Sequence, residues 1–270
     1  GPDQRAGAAR APRPQLARVS GGMSEGRPAM SPLPITTHAN AEALAAAVAD
    51  HLANAIRDGV AARGEAWLAL AGGSTPFAAY RLLAAMDLPW HRVHLVASDE
   101  RVVPAAHEKR NERALAEAFA AARGVTIHPL VAADGAESDD ASATDELSLK
   151  TARESLAPLA HRAFDAVLLG MGADAHFASL FPGVTPAAAL DGGSRDAVVA
   201  LTPDPLPLEA PFPRVSLTLS RLVAAHTLML MITGETKRAV LDAARTRPAT
   251  DAPIHALLAA APDLAIHWSP

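Results

Sequence analysis

Four short apolar runs in this 270-residue chain each stop at a polar turn, and this punctuation limits the fold more than any other feature. Residues 66–71 (AWLALA) run into Gly72-Gly73-Ser74-Thr75-Pro76, and residues 93–97 (VHLVA) into Ser98-Asp99-Glu100-Arg101. Residues 164–170 (FDAVLLG) run into Met171-Gly172-Ala173-Asp174-Ala175-His176, and residues 227–233 (TLMLMIT) into Gly234-Glu235-Thr236-Lys237. Continuous rather than alternating apolarity is the pattern of strands covered on both faces. Helical patterns lie between them. Residues 40–63 place Leu44, Val48, Leu52 and Ile56 four apart, with Gly64 as a stop. Thr75-Pro76 reads as N-cap and first-turn proline of a helix through residue 86. Further on come a helix near 108–123, a strand at 126–130, a polar Asp/Ser-rich stretch with a helix to 161, and strands at 197–201 and 215–219 joined by a proline-rich connection. A helix at 236–245, a short one near His255 and a last strand at 264–268 complete the pattern. Strands alternating with helices predict an α/β fold: a three-layer αβα sandwich around a mainly parallel, Rossmann-like sheet.

Residues 1–32 are rich in Arg, Pro, Gly and Ala and carry no hydrophobic period, so they read as a disordered N-terminal arm. Their opening Gly-Pro has the look of an expression remnant, and Met23 or Met30 of a native start. Residues 33–270 show no repeat and no second composition regime, and are read as a single domain. No apolar run approaches the roughly 18 residues of a membrane span. A formal net charge of -5 argues against a surface that coats nucleic acid or an anionic membrane. With no cysteine there is no disulfide framework, thiolate metal centre or thiol nucleophile, and a cytoplasmic setting fits.

In an open parallel sheet the carboxyl ends of the strands share one edge, so the four turns should converge on one crevice. The first, with Gly72, Gly73, Ser74 and Thr75, combines close backbone approach, two hydroxyls and a helix start, as a small anion cradle would. A turn between strand and helix with an ordinary cap would use the same residues. The fourth presents Lys237, one of only three lysines, in the first turn of a helix, where a cation opposes the macrodipole unless an anion intervenes. The third satisfies G-x-G-x-x-A, but Pro182-Gly183 cuts off the helix that a dinucleotide site requires. It leaves Gly172, Asp174 and His176, the last carrying the side chain best suited to general acid–base work near neutral pH. His91, His94 and His128 read as structural, and no metal-ligand set such as HExxH is present. The second turn places Asp99 nearest the sheet edge, with Arg101 able to reach the same crevice and grip a carboxylate or phosphate. A charge run of this kind is otherwise a solvated loop with one internal ion pair.

LALAGGSTP, SDERVVP with Asn111 downstream, LLGMGADAHFASLFPG, RVSLTLS and TGETKRAVL, in this order and spacing, resemble the 6-phosphogluconolactonase family over roughly residues 41–268. The resemblance implies a fold shared with glucosamine-6-phosphate deaminases, hydrolysis of 6-phosphoglucono-δ-lactone to 6-phosphogluconate in the oxidative pentose phosphate pathway, and neither metal nor organic cofactor. His176 would act as general base on water. Arg101, with backbone N–H groups near Gly72–Ser74 or Gly172, would bind phosphate or stabilise the oxyanion. Lys237 and Arg214 would be further phosphate ligands, and Asn111 would line the site. Asp99 or Asp174 would orient His176 or a sugar hydroxyl. Partners would be limited to the small phosphorylated lactone, with the chain a monomer or small homo-oligomer.

The chain departs from the family pattern in three places. Where D-G-H-T is usual it has Asp174-Ala175-His176-Phe177, and Arg110 replaces a serine before Asn111. A turn that needed positive φ would strain Ala175 by roughly 1–2 kcal/mol; the expectation is that the position tolerates a β-carbon. Two alternatives to the lactonase are a deaminase and a non-catalytic sugar-phosphate sensor. The deaminase pattern has a glutamate five residues beyond the histidine, where this chain has Phe181. Retention of both Asp99 and His176 weighs against a mere sensor.

Overall fold

The computed structural model describes residues 33–135 and 141–270. The arm read at 1–32 and part of the polar stretch after Asp134 lie outside the described residues. Strand β1 (Ile35–Thr37) leads into helix α1 (Ala41–Arg63), capped by the Asn40 side chain on the Ala43 N–H and closed by Gly64 at φ 83°. Strand β2 (Ala66–Leu70), helix α2 (Phe77–Ala84), strands β3 (Val93–Ala97) and β4 (Asp99–Arg101), helix α3 (Asn111–Ala118) and strand β5 (Thr126–His128) follow. Then come helix α4 (Ala141–Leu156) and strands β6 (Phe164–Leu169), β7 (Val198–Leu201) and β8 (Arg214–Leu217). Helix α5 (Leu219–Val223), strand β9 (Ala225–Thr233), helices α6 (Glu235–Ala244) and α7 (Ile254–Ala260) and strand β10 (Ala265–Ser269) complete the order.

Seven strands form one sheet in the order β1-β10-β9-β6-β2-β3-β5, and every neighbouring pair is parallel. All residues of β2 and β6 are buried, so helices cover the sheet on both faces and the architecture is the three-layer α/β sandwich. The chain runs from β2 through β3 to β5 on one side, then returns to β6 and continues through β9 to β10 on the other. The direction reverses between β2 and β6. At such a switch point the following loops part in opposite directions and leave a crevice at the strand ends.

The main departure from the sequence reading is a second sheet of three antiparallel strands, β4-β8-β7. The Asp-Glu-Arg run is therefore strand β4, pairing Asp99 with Ser216 and Arg101 with Arg214, and no solvated loop. Three residues are too few for a periodic signal, and the partner strand lies over a hundred positions away. Helix α2 begins at Phe77 with Pro76 at the cap position and no side-chain cap bond, so Thr75 does not cap it as the sequence suggested.

At the β1 edge, His38 and His267 meet at 3.0 Å, with the His51 ring beside His267. Burial, reinforced by His51 and His38, pulls the His267 imidazole down to about 4. A histidine kept neutral by the fold contributes stability that is whole above its unfolded pKa and is lost as pH falls toward its folded one. Relative to His267→Gln, the wild type should lose about 2 kcal/mol between roughly pH 6.5 and 4.5 in urea titrations. Parallel profiles for the two proteins would contradict the assignment.

Candidate active site

The four turns meet at one cavity of about 630 Å³. It is lined by Gly72, Gly73, Ser74, Thr75, Asp99, Arg101, Asn111, Gly172, His176, Arg214 and Lys237, together with Ser179 and Phe181. Of the site residues expected from sequence, Asp174 alone does not line it.

The turn after β6 builds the histidine. The Gly172 N–H donates to the His176 carbonyl at 2.9 Å and the Ala175 N–H to the Gly172 carbonyl at 3.1 Å, closing a tight loop. His176 Nδ1 lies 2.5 Å from Asp174 Oδ1, which also accepts the His176 backbone N–H at 3.2 Å. A carboxylate on Nδ1 fixes the proton there and leaves Nε2 as the basic nitrogen. Burial pushes the Asp174 carboxyl upward, but the hydrogen bond and charge of His176 outweigh it and hold it below the ordinary value. The Phe181 ring packs 4.5 Å from the imidazole. A β-carbon on Gly172 would sit 2.2 Å from both His176 Cε1 and Nδ1, so only glycine leaves the ring its place.

Ala175 has φ 68° and is fully buried, so the turn does require the left-handed conformation. The expectation of an easily tolerated β-carbon is corrected: alanine adopts this φ at a cost of about 1 kcal/mol, against the burial its methyl gains. Phe177 is fully buried in the hydrophobic core and lies outside the cavity lining, so the ring in place of a hydroxyl adds core volume.

A second wall of the cavity, built from β4 and β8, is basic. Arg101 and Arg214 are direct cross-strand partners on β4 and β8, an arrangement in which like charges repel. Arg214 is 3% exposed and donates to the Ala210 carbonyl at 2.8 Å, while its Nε and Nη1 have no partner among the described residues. Burial lowers it to about 10, with Arg101 adding to the shift and Asp99 and Glu100 opposing it. Arg101 donates to the Lys109 carbonyl at 2.6 Å, and its buried Nε is likewise unpartnered. Lys237, in the first turn of α6, makes no hydrogen bond or ion pair among the described residues, and burial lowers its pKa. Buried cationic donors of this kind gain most from an anion.

Asp99 does not orient His176. Its carboxylate accepts the Ser98 hydroxyl at 2.9 Å and the Ser179 hydroxyl at 2.5 Å, and Asp174 occupies the histidine's Nδ1. Asn111 donates to the Asp99 carbonyl at 2.7 Å, and its amide lies 2.3 Å from where a Gly72 β-carbon would be. Arg110 is buried and donates to the carbonyls of Val103 and Ala132. It braces the loop and also lines the cavity. Sequence reasoning passes over Glu100, Ser179 as a partner of Asp99, and the rim residues Pro207 and Glu209. The alternation of β4 would separate Glu100 from Asp99 and Arg101 were the strand visible in the sequence. Among the described residues no cluster of His, Asp or Glu could hold a metal ion, and no helix is long and apolar enough to cross a membrane.

A parallel αβα sheet whose switch-point crevice joins a carboxylate-held imidazole to a group of cations defines the class: an enzyme for a small anionic substrate. Residues 39–268 match the family model of glucosamine-6-phosphate isomerases/6-phosphogluconolactonase, and the chain belongs to this family. A 6-phosphogluconolactonase of Mesorhizobium japonicum is 38% identical over 239 residues, covering 85% of this chain and 91% of the relative. One of Rhizobium meliloti is also 38% identical, covering 86% and 96%. Among solved structures, a 6-phosphogluconolactonase from Shewanella baltica superposes with a TM-score of 0.76 at 29% identity, covering 88% of this chain and 98% of that one.

Gly172→Ala tests how tightly the histidine is seated. The variant should fold with little change in Tm, because the clash falls on a side-chain ring, yet lose about 100-fold in kcat as the imidazole is displaced. Unchanged kcat would contradict the seating described.

Proposed function

We propose that the cavity hydrolyses 6-phospho-D-glucono-1,5-lactone to 6-phosphogluconate, with His176 activating the water. The observation that carries this reading is the convergence in one cavity of His176, backed by Asp174, and the cross-strand pair Arg101 and Arg214. Nε2 of His176 takes a proton from water as the oxygen attacks the lactone carbonyl, and Asp174 stabilises the imidazolium that forms. Collapse of the tetrahedral intermediate breaks the ring C–O bond, and the imidazolium returns its proton to the leaving oxygen. No covalent nucleophile is needed, since a lactone is an activated ester and positioning with one base suffices. The Ser179 hydroxyl is occupied as a donor to Asp99.

Arg101 and Arg214 are assigned to the phosphate. Two guanidiniums opposed on neighbouring strands repel, and a dianion between them turns that cost into attraction. Lys237 supplies a third cation, and Gly72, Gly73, Ser74 and Thr75 supply backbone and hydroxyl donors from the turn after β2. Asp99, held by two serines, is placed to accept a sugar hydroxyl. Gly172 N–H is spent on the His176 carbonyl, which removes it as an oxyanion donor. The deaminase alternative is disfavoured by Phe181, which packs an apolar ring on His176 where that reaction's pattern has a carboxylate.

The mechanism separates two kinds of loss. His176→Ala should reduce kcat by about 100- to 10,000-fold with little change in substrate affinity, while Lys237→Ala should mainly raise KM. The assay is acid release from freshly prepared lactone, corrected for spontaneous opening. Normal turnover in His176→Ala would overturn the general-base assignment.

A further inference from the structure

We propose that Glu100, which no step of the mechanism uses, is a positioning residue for the anion: it holds the backbone of Arg101 and Asn111 so that both side chains face the cavity. The inference rests on the reading of that wall as the phosphate end. Glu100 is fully buried on β4 between two residues that line the cavity. Alternation along a strand turns its side chain away from theirs, toward the start of α3. Its Oε1 accepts the Arg101 N–H at 2.8 Å and the Asn111 N–H at 2.7 Å, and its Oε2 accepts the Glu112 N–H at 2.8 Å. Arg110 Nε faces Oε2 at 3.4 Å.

Helix α3 has no cap of its own, because the residue at its cap position is Arg110, whose side chain accepts nothing. Glu100 supplies that cap from another element: burial raises its pKa to about 7, while the backbone N–H groups and Arg110 favour the carboxylate. The same two oxygens therefore fix three things at once: the strand that carries Arg101, the helix that carries Asn111, and through Asn111 the Gly72 turn against which its amide packs. An apolar side chain of equal size would leave three N–H donors, one of them in a buried bond, without acceptors. A role confined to folding would lower stability and leave affinity alone. A positioning role moves affinity for the anion.

Glu100→Gln keeps the size and one carbonyl, but sets an NH₂ against one of the N–H donors and removes the charge facing Arg110. Three quantities decide: KM and kcat with the lactone, the Kd of inorganic phosphate by calorimetry, and the same Kd in an Arg101→Ala background. We expect KM and the phosphate Kd to rise together by about fivefold or more, with kcat within about twofold of wild type. In the Arg101→Ala background the further effect of Glu100→Gln on phosphate should shrink, since part of it acts through Arg101. Unchanged KM and phosphate Kd, whatever happens to Tm, would overturn the proposal, as would an undiminished effect without Arg101. Should Glu100→Gln not fold, Glu100→Asp, which keeps the charge but withdraws it by one methylene, is judged on the same readouts. Phosphate binding is measured without turnover. A wild type that binds phosphate but opens no lactone would thus sink the reading of the reaction, while the phosphate Kd values of the Glu100 variants would still decide the positioning role.

Discussion

A parallel sheet buried on both faces has only its strand ends to offer to a ligand, and the position of the cavity follows from that constraint. β2 and β6 are covered throughout, so the residues that meet solvent near them are those just beyond their last apolar position. The chain reverses its winding direction between these two strands, and the turns that follow them part to form the cavity. The glycine-serine turn after β2 and the Asp174–His176 turn after β6 are neighbours because their strands are paired. The basic wall comes from elsewhere: a small antiparallel sheet, set on the end of β3, that brings Arg214 from far along the chain opposite Arg101.

The chemistry divides between the two sheets. The parallel sheet supplies the proposed base, His176, held by a carboxylate two residues away in a turn so tight that Gly172 admits no side chain. The antiparallel sheet supplies charge, in a form that the protein alone leaves unsatisfied: two opposed guanidiniums with buried, unpartnered donors. The net charge of -5 is no guide to this, because three cations at one crevice suffice for a small dianion. Backbone strain flanks the proposed base. Ala175 holds a left-handed conformation one residue before His176, and Ala178 another two residues after it.

Much of this is legible in the sequence because strong local signals carry it. The four apolar runs, the helix with its Gly64 stop, and the convergence of four turns on one edge require only periodicity and the topology of parallel sheets. What escapes is non-local. Strand β4 is three residues long and its pairing partner is distant, so in the sequence it reads as a charged loop. With the strand hidden, Glu100 cannot be separated from its neighbours, nor Asp99 from a role toward His176. The strain at Ala175 is raised by the glycine usual at that position but not decided by it, because the φ of a turn is set by the turn's own closure, here through Gly172 and His176. Thr75 has the chemistry of a cap, yet Pro76 occupies the cap position.

The central claim is that this cavity opens a phosphorylated lactone with water and a histidine, and does no deaminase chemistry. The most direct measurement follows acid release from freshly made 6-phosphogluconolactone beside ammonia release from glucosamine 6-phosphate, with the same preparation of enzyme. Acid release well above the spontaneous rate, with no ammonia, is the expected result. Ammonia release, or lactone opening at only the spontaneous rate, would contradict the claim.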